Sequence, residues 1–286
     1  MGSTWMVPAK PNRLVWLMPA GMSAEDFEPR RHSLGSLACR AQGAAVYEAK
    51  RRSIYRAEHP QLGAVAVKEI RNPNLVRRLW FRHFEEHPGI REFQVGSSFH
   101  ARGGQTPSLY GAALDQNALS LGRVFLFIAW HDRAVTLSKH LASFGEAVPT
   151  RILEAVADSL ATAAHLGLVH GRHSPKNMLA IPETAGDFRY ETIDFAYSHL
   201  ASDFEDEGFA RDVVRIADHL LIARACPVTR VNALLAAVAR AAWHSSEQVS
   251  WEHEMRRLLR RRLQRGSRAG RKARPECAGD RENAAT

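Results

Sequence analysis

The sequence predicts an α+β chain in two lobes, a small antiparallel sheet with one helix followed by a mainly helical lobe. Three observations carry this. Between Ala44 and Ile70, three runs rich in β-branched and aromatic residues are joined by polar turns, the pattern of an antiparallel meander. Val124 to Ile128 is a continuous apolar run of the kind found in a buried strand. From Pro149 onward, apolar residues recur at helical spacing over long stretches. With 286 residues, 45% of them hydrophobic, the chain can fill cores in both lobes.

In chain order, Leu14 to Met18 is apolar but short and is closed by Pro19 and Gly21, so residues 1–35 are expected to form a flexible leader. The sheet lobe is expected over 36–130. Its first strands are Ala44–Tyr47, Ile54–Ala57 and Ala64–Ile70, separated by the turns Lys50-Arg51-Arg52 and His59–Gly63. Pro88-Gly89 opens a helix that runs to Ala101 and stops at Gly103-Gly104. Strands follow at Ser108–Leu114 and Val124–Ile128, and Trp130–Arg133 breaks the pattern before the second lobe, expected over 131–252. There Pro149 suits a first helical turn, Ile152, Leu153, Val156 and Leu160 share one face, and Gly167 suits the C-terminal cap. Asp212–Ala225 and Val231–Trp243 are two further helical stretches.

The net charge of +9 is not spread over the chain. Ten arginines and lysines lie between Met255 and Pro275 with no acid among them, which leaves about −1 for the rest. Residues 253–286 are therefore expected to be a basic, disordered tail, for which residues 255–274 offer contact with an anionic membrane surface. Nucleic acid is the disfavoured partner, because no aromatics interleave with these charges and the body has no basic surplus. Cys39, Cys226 and Cys277 show no CxxC spacing, which argues against a disulfide framework or a structural zinc site. No run of eighteen apolar residues suggests a membrane span.

Four features stand in an order that suggests chemistry. Lys68 ends an apolar strand, and Glu92 follows on the next helix; together they suit a cation held rigidly against a nucleotide's phosphates. Further on, a polar loop from His170 ends at Asn177 before an apolar run, and a second apolar run delivers Asp194. An amide oxygen beside a carboxylate suits Mg²⁺, a hard cation that takes one or two protein oxygens and completes its shell with water and phosphate.

With these residues in place, the chain resembles the protein-kinase-like superfamily and, within it, the bacterial lipopolysaccharide core kinases of the Kdo/WaaP type. Val65-Ala66-Val67-Lys68 resembles the kinase strand V-A-I-K, and Glu92 resembles the glutamate of the following helix. His170 to Asn177 has the spacing of the catalytic loop H-x-D-x-x-x-x-N, Asp194-Phe195-Ala196 is similar to D-F-G, and Asp212 to the acid that braces that loop. The resemblance covers residues 36–249 and implies a bilobal protein-kinase-like fold that uses ATP and Mg²⁺. It implies an acceptor hydroxyl on a lipopolysaccharide core sugar or related glycolipid, at the cytoplasmic face of the inner membrane. Lys68 would then orient the phosphates and Glu92 would hold Lys68, Asn177 and Asp194 would hold the metal, and His170 would support the loop.

Two positions depart from that pattern. The turn expected to cover the phosphates has no glycine and offers Lys50, Arg51 and Arg52, so Lys50 and Arg52 are expected to grip phosphate with side chains. Arg172 stands where the catalytic aspartate belongs, and an arginine cannot serve as a base. Three readings stay open at this stage. His173 or another nearby group supplies the base, or little base is needed because phosphoryl transfer relies mainly on positioning and electrostatics; Arg172 binds an anionic acceptor; or the chain is a pseudokinase that binds nucleotide or a partner without phosphotransfer.

Overall fold

The computed structural model describes residues 14–40, 45–49, 51–72, 74–116, 121–183 and 186–272, with side chains left undescribed at 39, 40 and 266–272. A six-stranded antiparallel sheet forms the first lobe, with spatial order β1-β5-β6-β4-β3-β2. Its strands are β1 (Leu14–Leu17), β2 (Tyr47–Ala49), β3 (Arg52–His59), β4 (Gly63–Arg71), β5 (Leu109–Gln116) and β6 (Leu121–Ala129). The twofold alternation of strand side chains decides what each face does. Val65 and Val67 of β4, with Phe125 and Phe127 of β6, pack under helix α1 (Ala24–Arg40) together with Leu34 and Ala38. Ile70, Val124 and Leu126 point the other way, onto helix α3 (Pro88–Ala101) through Phe93. Lys68 has the parity of Ile70, so the same alternation turns it toward α3 and the space between the lobes. Between β4 and α3 lies a short helix, α2 (Leu75–His83), capped by the Asn74 side chain accepting from the Arg77 N–H.

The expected flexible leader is a correction over residues 14–35. β1 pairs with β5 in register Leu14↔Asp115 to Leu17↔Ala112, and Trp16 stacks on Phe127 at 5.6 Å. Strand addition satisfies the open edge of β5, and α1 covers apolar surface that the sheet would otherwise expose. The start of α1 was readable: Ser23 Oγ accepts from the Asp26 N–H at 3.1 Å, the geometry of a serine N-cap. Residues 1–13 lie outside the described residues, as does Ala44, where the first strand was expected; that strand is short and begins at Tyr47.

The second lobe is helical around one large core. Helices α5 (Thr150–His165), α6 (Asp206–Ile222), α7 (Val228–Ala242) and α8 (Ser245–Lys272) bury Leu153, Val156, Leu160, Val213, Ile216, Leu235 and Val238 against one another. Above them lie β7 (Val135–Thr136), helix α4 (Leu137–Ala142) and the antiparallel strands β9 (Met178–Pro182) and β10 (Phe188–Thr192), with β8 (Leu168–Val169) paired to β11 (His199–Leu200). Gly167 adopts φ +85°, and a Cβ there would sit 2.3 Å from the Ala201 carbonyl oxygen, so only glycine fits this helix end.

The expected boundary at residue 253 is also corrected. α8 continues to Lys272, and Met255 (0% exposed) and Leu259 (5%) belong to the core of the second lobe. Trp251, Met255, Leu258 and Leu259 follow helical spacing, so the apolar stripe, and not the arginines, decides where the fold ends. Arg256, Arg257 and Arg262 are paired with Glu252, Glu254 and Asp218. Residues 273–286 lie outside the described residues.

Candidate active site

The site is assembled where β4, α3 and the β9–β10 hairpin meet. Lys68 Nζ donates to both oxygens of Glu92, at 2.6 and 2.8 Å, and to Asp194 Oδ1 at 3.2 Å. Arg52, at the start of β3, reaches Asp194 Oδ1 at 3.5 Å. Two cations thus face two carboxylates that lie far apart in sequence. Burial pushes the Lys68 ammonium down, but Glu92 and Asp194 outweigh it and hold Lys68 above the ordinary lysine value. Burial also pushes Asp194 up, yet Lys68 and Arg52 prevail and hold it below the usual carboxylate range. Asp194 is therefore ionised at neutral pH, and its backbone lies in the left-handed region at φ 66°, which aspartate tolerates better than most residues.

Asn177 stands beside Asp194 through the backbone: its carbonyl accepts from the Ile193 N–H at 2.9 Å. Its Nδ2 donates to the Arg172 carbonyl at 3.2 Å, which fixes the amide and leaves Oδ1 as its acceptor. An ionised carboxylate and an amide oxygen at neighbouring positions, with Lys68 and Arg52 alongside, fit Mg²⁺ carrying a polyphosphate. Next to them a cavity of about 240 Å³ is lined by Ile54, Ala66, Ile128, Leu179 and Ile193, an apolar slot between the lobes. Its rim at Ala129–Asp132 is the connection from β6 to the second lobe.

The polar loop is held from below by one carboxylate. Asp212, buried on α6, accepts from the N–H groups of His170 (2.7 Å) and Gly171 (3.0 Å) through Oδ2, and of His173 (3.4 Å) through Oδ1. His170 Nε2 donates to the Ile193 carbonyl at 3.0 Å, tying the loop to the residue before Asp194. Phe195 packs on Phe99 of α3 at 5.8 Å, and Gly96 leaves the room: a Cβ there would lie 3.0 Å from the Phe195 ring. The acid and the helix that carries Glu92 are therefore one packed unit.

His173 is a correction. It is 4% exposed and lies flat on the His170 ring at 4.4 Å, with its Nε2 buried among groups that offer it no partner. It faces the interior beneath the loop, so it cannot take a proton from an acceptor in the cleft. Apolar packing outranked the polar loop composition here. Arg172 is outside, with its guanidinium 3.5 Å from the centre of the Tyr197 ring, a cation–π contact. A second cavity of about 590 Å³ opens on this side, lined by Arg172, Ser174, Lys176, Arg215 and His219. Arg215, which also donates to the Gly171 carbonyl, was missed in the sequence, where only Asp212 of the same helix was placed under the loop. Lys50 lies outside the described residues.

Burial pushes the imidazoles of His140, His170 and His173 below the ordinary histidine value, and that of His87 down to about 4. Below the unfolded value of about 6.5, the unfolded chain takes up protons that these folded imidazoles refuse. Stability is thus full above that value and declines as pH falls, by at most about 1.4 kcal/mol per unit for each such histidine. The melting temperature should drop steadily from about pH 7 to about pH 5; a flat profile would contradict buried neutral imidazoles.

Fold and site together define the class: a bilobal protein-kinase-like scaffold. The family model of the lipopolysaccharide kinase (Kdo/WaaP) family matches residues 38–221. The chain belongs to that family. A similar solved structure is "WaaP in complex with acyl carrier protein", with a TM-score of 0.56 and 17% sequence identity; the match covers 88% of this chain and 98% of that one. At that identity the likeness speaks for the fold alone. No curated protein matches the chain.

Proposed function

We propose that this chain is an ATP-dependent phosphotransferase that acts on a hydroxyl of a lipopolysaccharide core sugar or related glycolipid. The observation that carries the reading is the assembled contact of Lys68 with both Glu92 and Asp194 at the mouth of an apolar slot. A buried ammonium already aligned by two carboxylates is preorganised for phosphate, and preorganisation is most of what phosphoryl transfer asks of a protein. The apolar slot accepts a flat base, Lys68 and Arg52 receive the phosphates, and Asp194 and Asn177 supply the metal's protein ligands. Mg²⁺, when bound, supplies neutralisation of charge on the transferring phosphoryl group.

On the acceptor side, Arg172, Lys176 and Arg215 make the loop's outer cavity basic, which suits a sugar that carries phosphate or carboxylate. Arg172 is read as an orienting residue. The loop offers no carboxylate to accept the hydroxyl proton, and His173 is buried, so the reaction depends on positioning and proceeds without about 10² to 10⁴-fold of general-base help.

That same feature favours one second reading, nucleotide binding without transfer. Incubation with γ-labelled ATP, Mg²⁺ and lipopolysaccharide should label the glycolipid slowly, and Asp194→Asn should label nothing. If wild type binds ATP with Mg²⁺ but labels no acceptor over long incubation, the pseudokinase reading replaces the first.

A further inference from the structure

We infer that α2 is a membrane-surface contact, a short interfacial helix that docks on an anionic lipid bilayer. No residue of α2 is buried. Val76 and Trp80 lie one turn apart on α2 and Phe84 is its C-terminal cap, and they are 73%, 49% and 75% exposed. Leu75, at 64%, extends its first turn. The Trp80 and Phe84 rings lie 5.3 Å apart, a continuous aromatic surface facing water. Side chains of this size are normally the first to be covered, and a grouped patch marks an interaction face where scattered ones do not.

Charge selects the occupant. Within α2, Arg77, Arg78, Arg82 and His83 accompany the stripe and there is no acid. Basic residues on the flanks of a tryptophan, phenylalanine and leucine surface are the combination that seats a helix at the lipid headgroups, with the rings at the acyl boundary. The two acids that follow the helix are engaged: Glu85 accepts from Trp80 Nε1 at 2.8 Å, and Glu86 pairs with Arg91 at 2.9 Å. The helix is anchored from its other side, where Phe81 packs on the core of Ile70 and Val124 and meets His87 edge-on at 4.9 Å. Arg78 Nε also donates to the Asn72 carbonyl at 2.9 Å, so the exposed stripe is held outward on a fixed support. This contact is separate from the basic end of α8 and lies on the other lobe. Among the described residues no helix is long and apolar enough to cross a membrane, so α2 would lie on the surface.

The test is cosedimentation of the full chain with phosphatidylethanolamine vesicles that contain about a quarter phosphatidylglycerol, at low salt and at about 0.5 M salt. Wild type should bind at both, because buried rings are not screened. The double variant Val76→Glu/Phe84→Glu should partition about tenfold less at both. Val228→Glu, at an apolar site on α7 that is 62% exposed, should behave as wild type. An unchanged melting temperature and unchanged response to ATP with Mg²⁺ show that the double variant is folded, independently of any phosphotransfer. Wild-type binding that vanishes in salt, or equal binding by the double variant, would overturn the proposal. So would a concentration-dependent dimer that the double variant disperses while vesicles bind neither protein.

Discussion

Lys68→Ala should destabilise the protein by about 3–5 kcal/mol at neutral pH and abolish nucleotide binding, because it strands Glu92 as a buried carboxylate without its cation. Glu92 is 3% exposed, and both of its oxygens are occupied by Lys68 Nζ. Burial already pushes its carboxyl up against the pull of Lys68, and without the ammonium it goes further in that direction. The sign of the pH dependence follows. In the variant, the folded chain holds a proton on Glu92 that the unfolded chain releases, so lowering the pH toward the unfolded carboxylate value of about 4.3 restores part of the loss. Urea melts of wild type and variant at about pH 7 and about pH 5.5 read this directly: the gap between them should narrow at the lower pH. The double variant Lys68→Met/Glu92→Leu should be more stable than Lys68→Ala, since it removes both charges and refills the volume, and yet should bind no ATP. That contrast separates a pair held for function from one held for stability.

The second large effect lies beneath the loop. Asp212→Ala removes the acceptor of three backbone N–H groups at once, those of His170 and His173 in buried bonds and that of Gly171 in a part-buried one. A buried donor left unpaired costs about 1–3 kcal/mol, so the two buried donors imply a loss of at least about 2 kcal/mol. His170, Gly171 and His173 are the residues released, and Asn177, whose amide is tied to the Arg172 carbonyl, goes with them. Phosphotransfer should fall by about 10²-fold or more even in the folded fraction, because a displacement of about 1 Å at the reacting groups has that effect. Thermal melts and labelled-phosphate transfer, measured on the same preparation, check the two effects separately.

Much of this site was legible in the sequence because its parts sit at fixed offsets inside regular elements. The β-branched strand 64–70 places Lys68 by parity, and the helix after Pro88 places Glu92 one turn in. The reading failed where tertiary packing decides. Residues 14–35 carried a serine cap and a short apolar strand, but one short strand has no meaning until β5 offers it an edge. The end of α8 was hidden by its arginines: charge dominates the composition after Met255, while Met255 and Leu259, with Trp251, Leu258 and Leu263 packed beside them, fix the helix to the core. His173 looked available because it lies in a polar loop, and only the stacking of two imidazoles shows that it points inward. The exposed stripe of α2 left no pattern in sequence that differs from a buried one.

The central claim is that Lys68, Glu92, Asn177 and Asp194 make a working nucleotide site, and thermal shift with ATP, with and without Mg²⁺, tests it most directly. Asp194→Asn is the right partner variant, because asparagine tolerates the left-handed backbone at φ 66° and keeps the side-chain size while removing the charge. Wild type should gain about 2.7 kcal/mol at ATP concentrations about 100 times Kd, read as a rise of several degrees that requires Mg²⁺. Asp194→Asn should melt near the wild-type temperature without ligand and gain nothing from ATP with Mg²⁺. A wild-type protein that shows no shift at saturating ATP and Mg²⁺, or a shift that survives in Asp194→Asn, would contradict the claim.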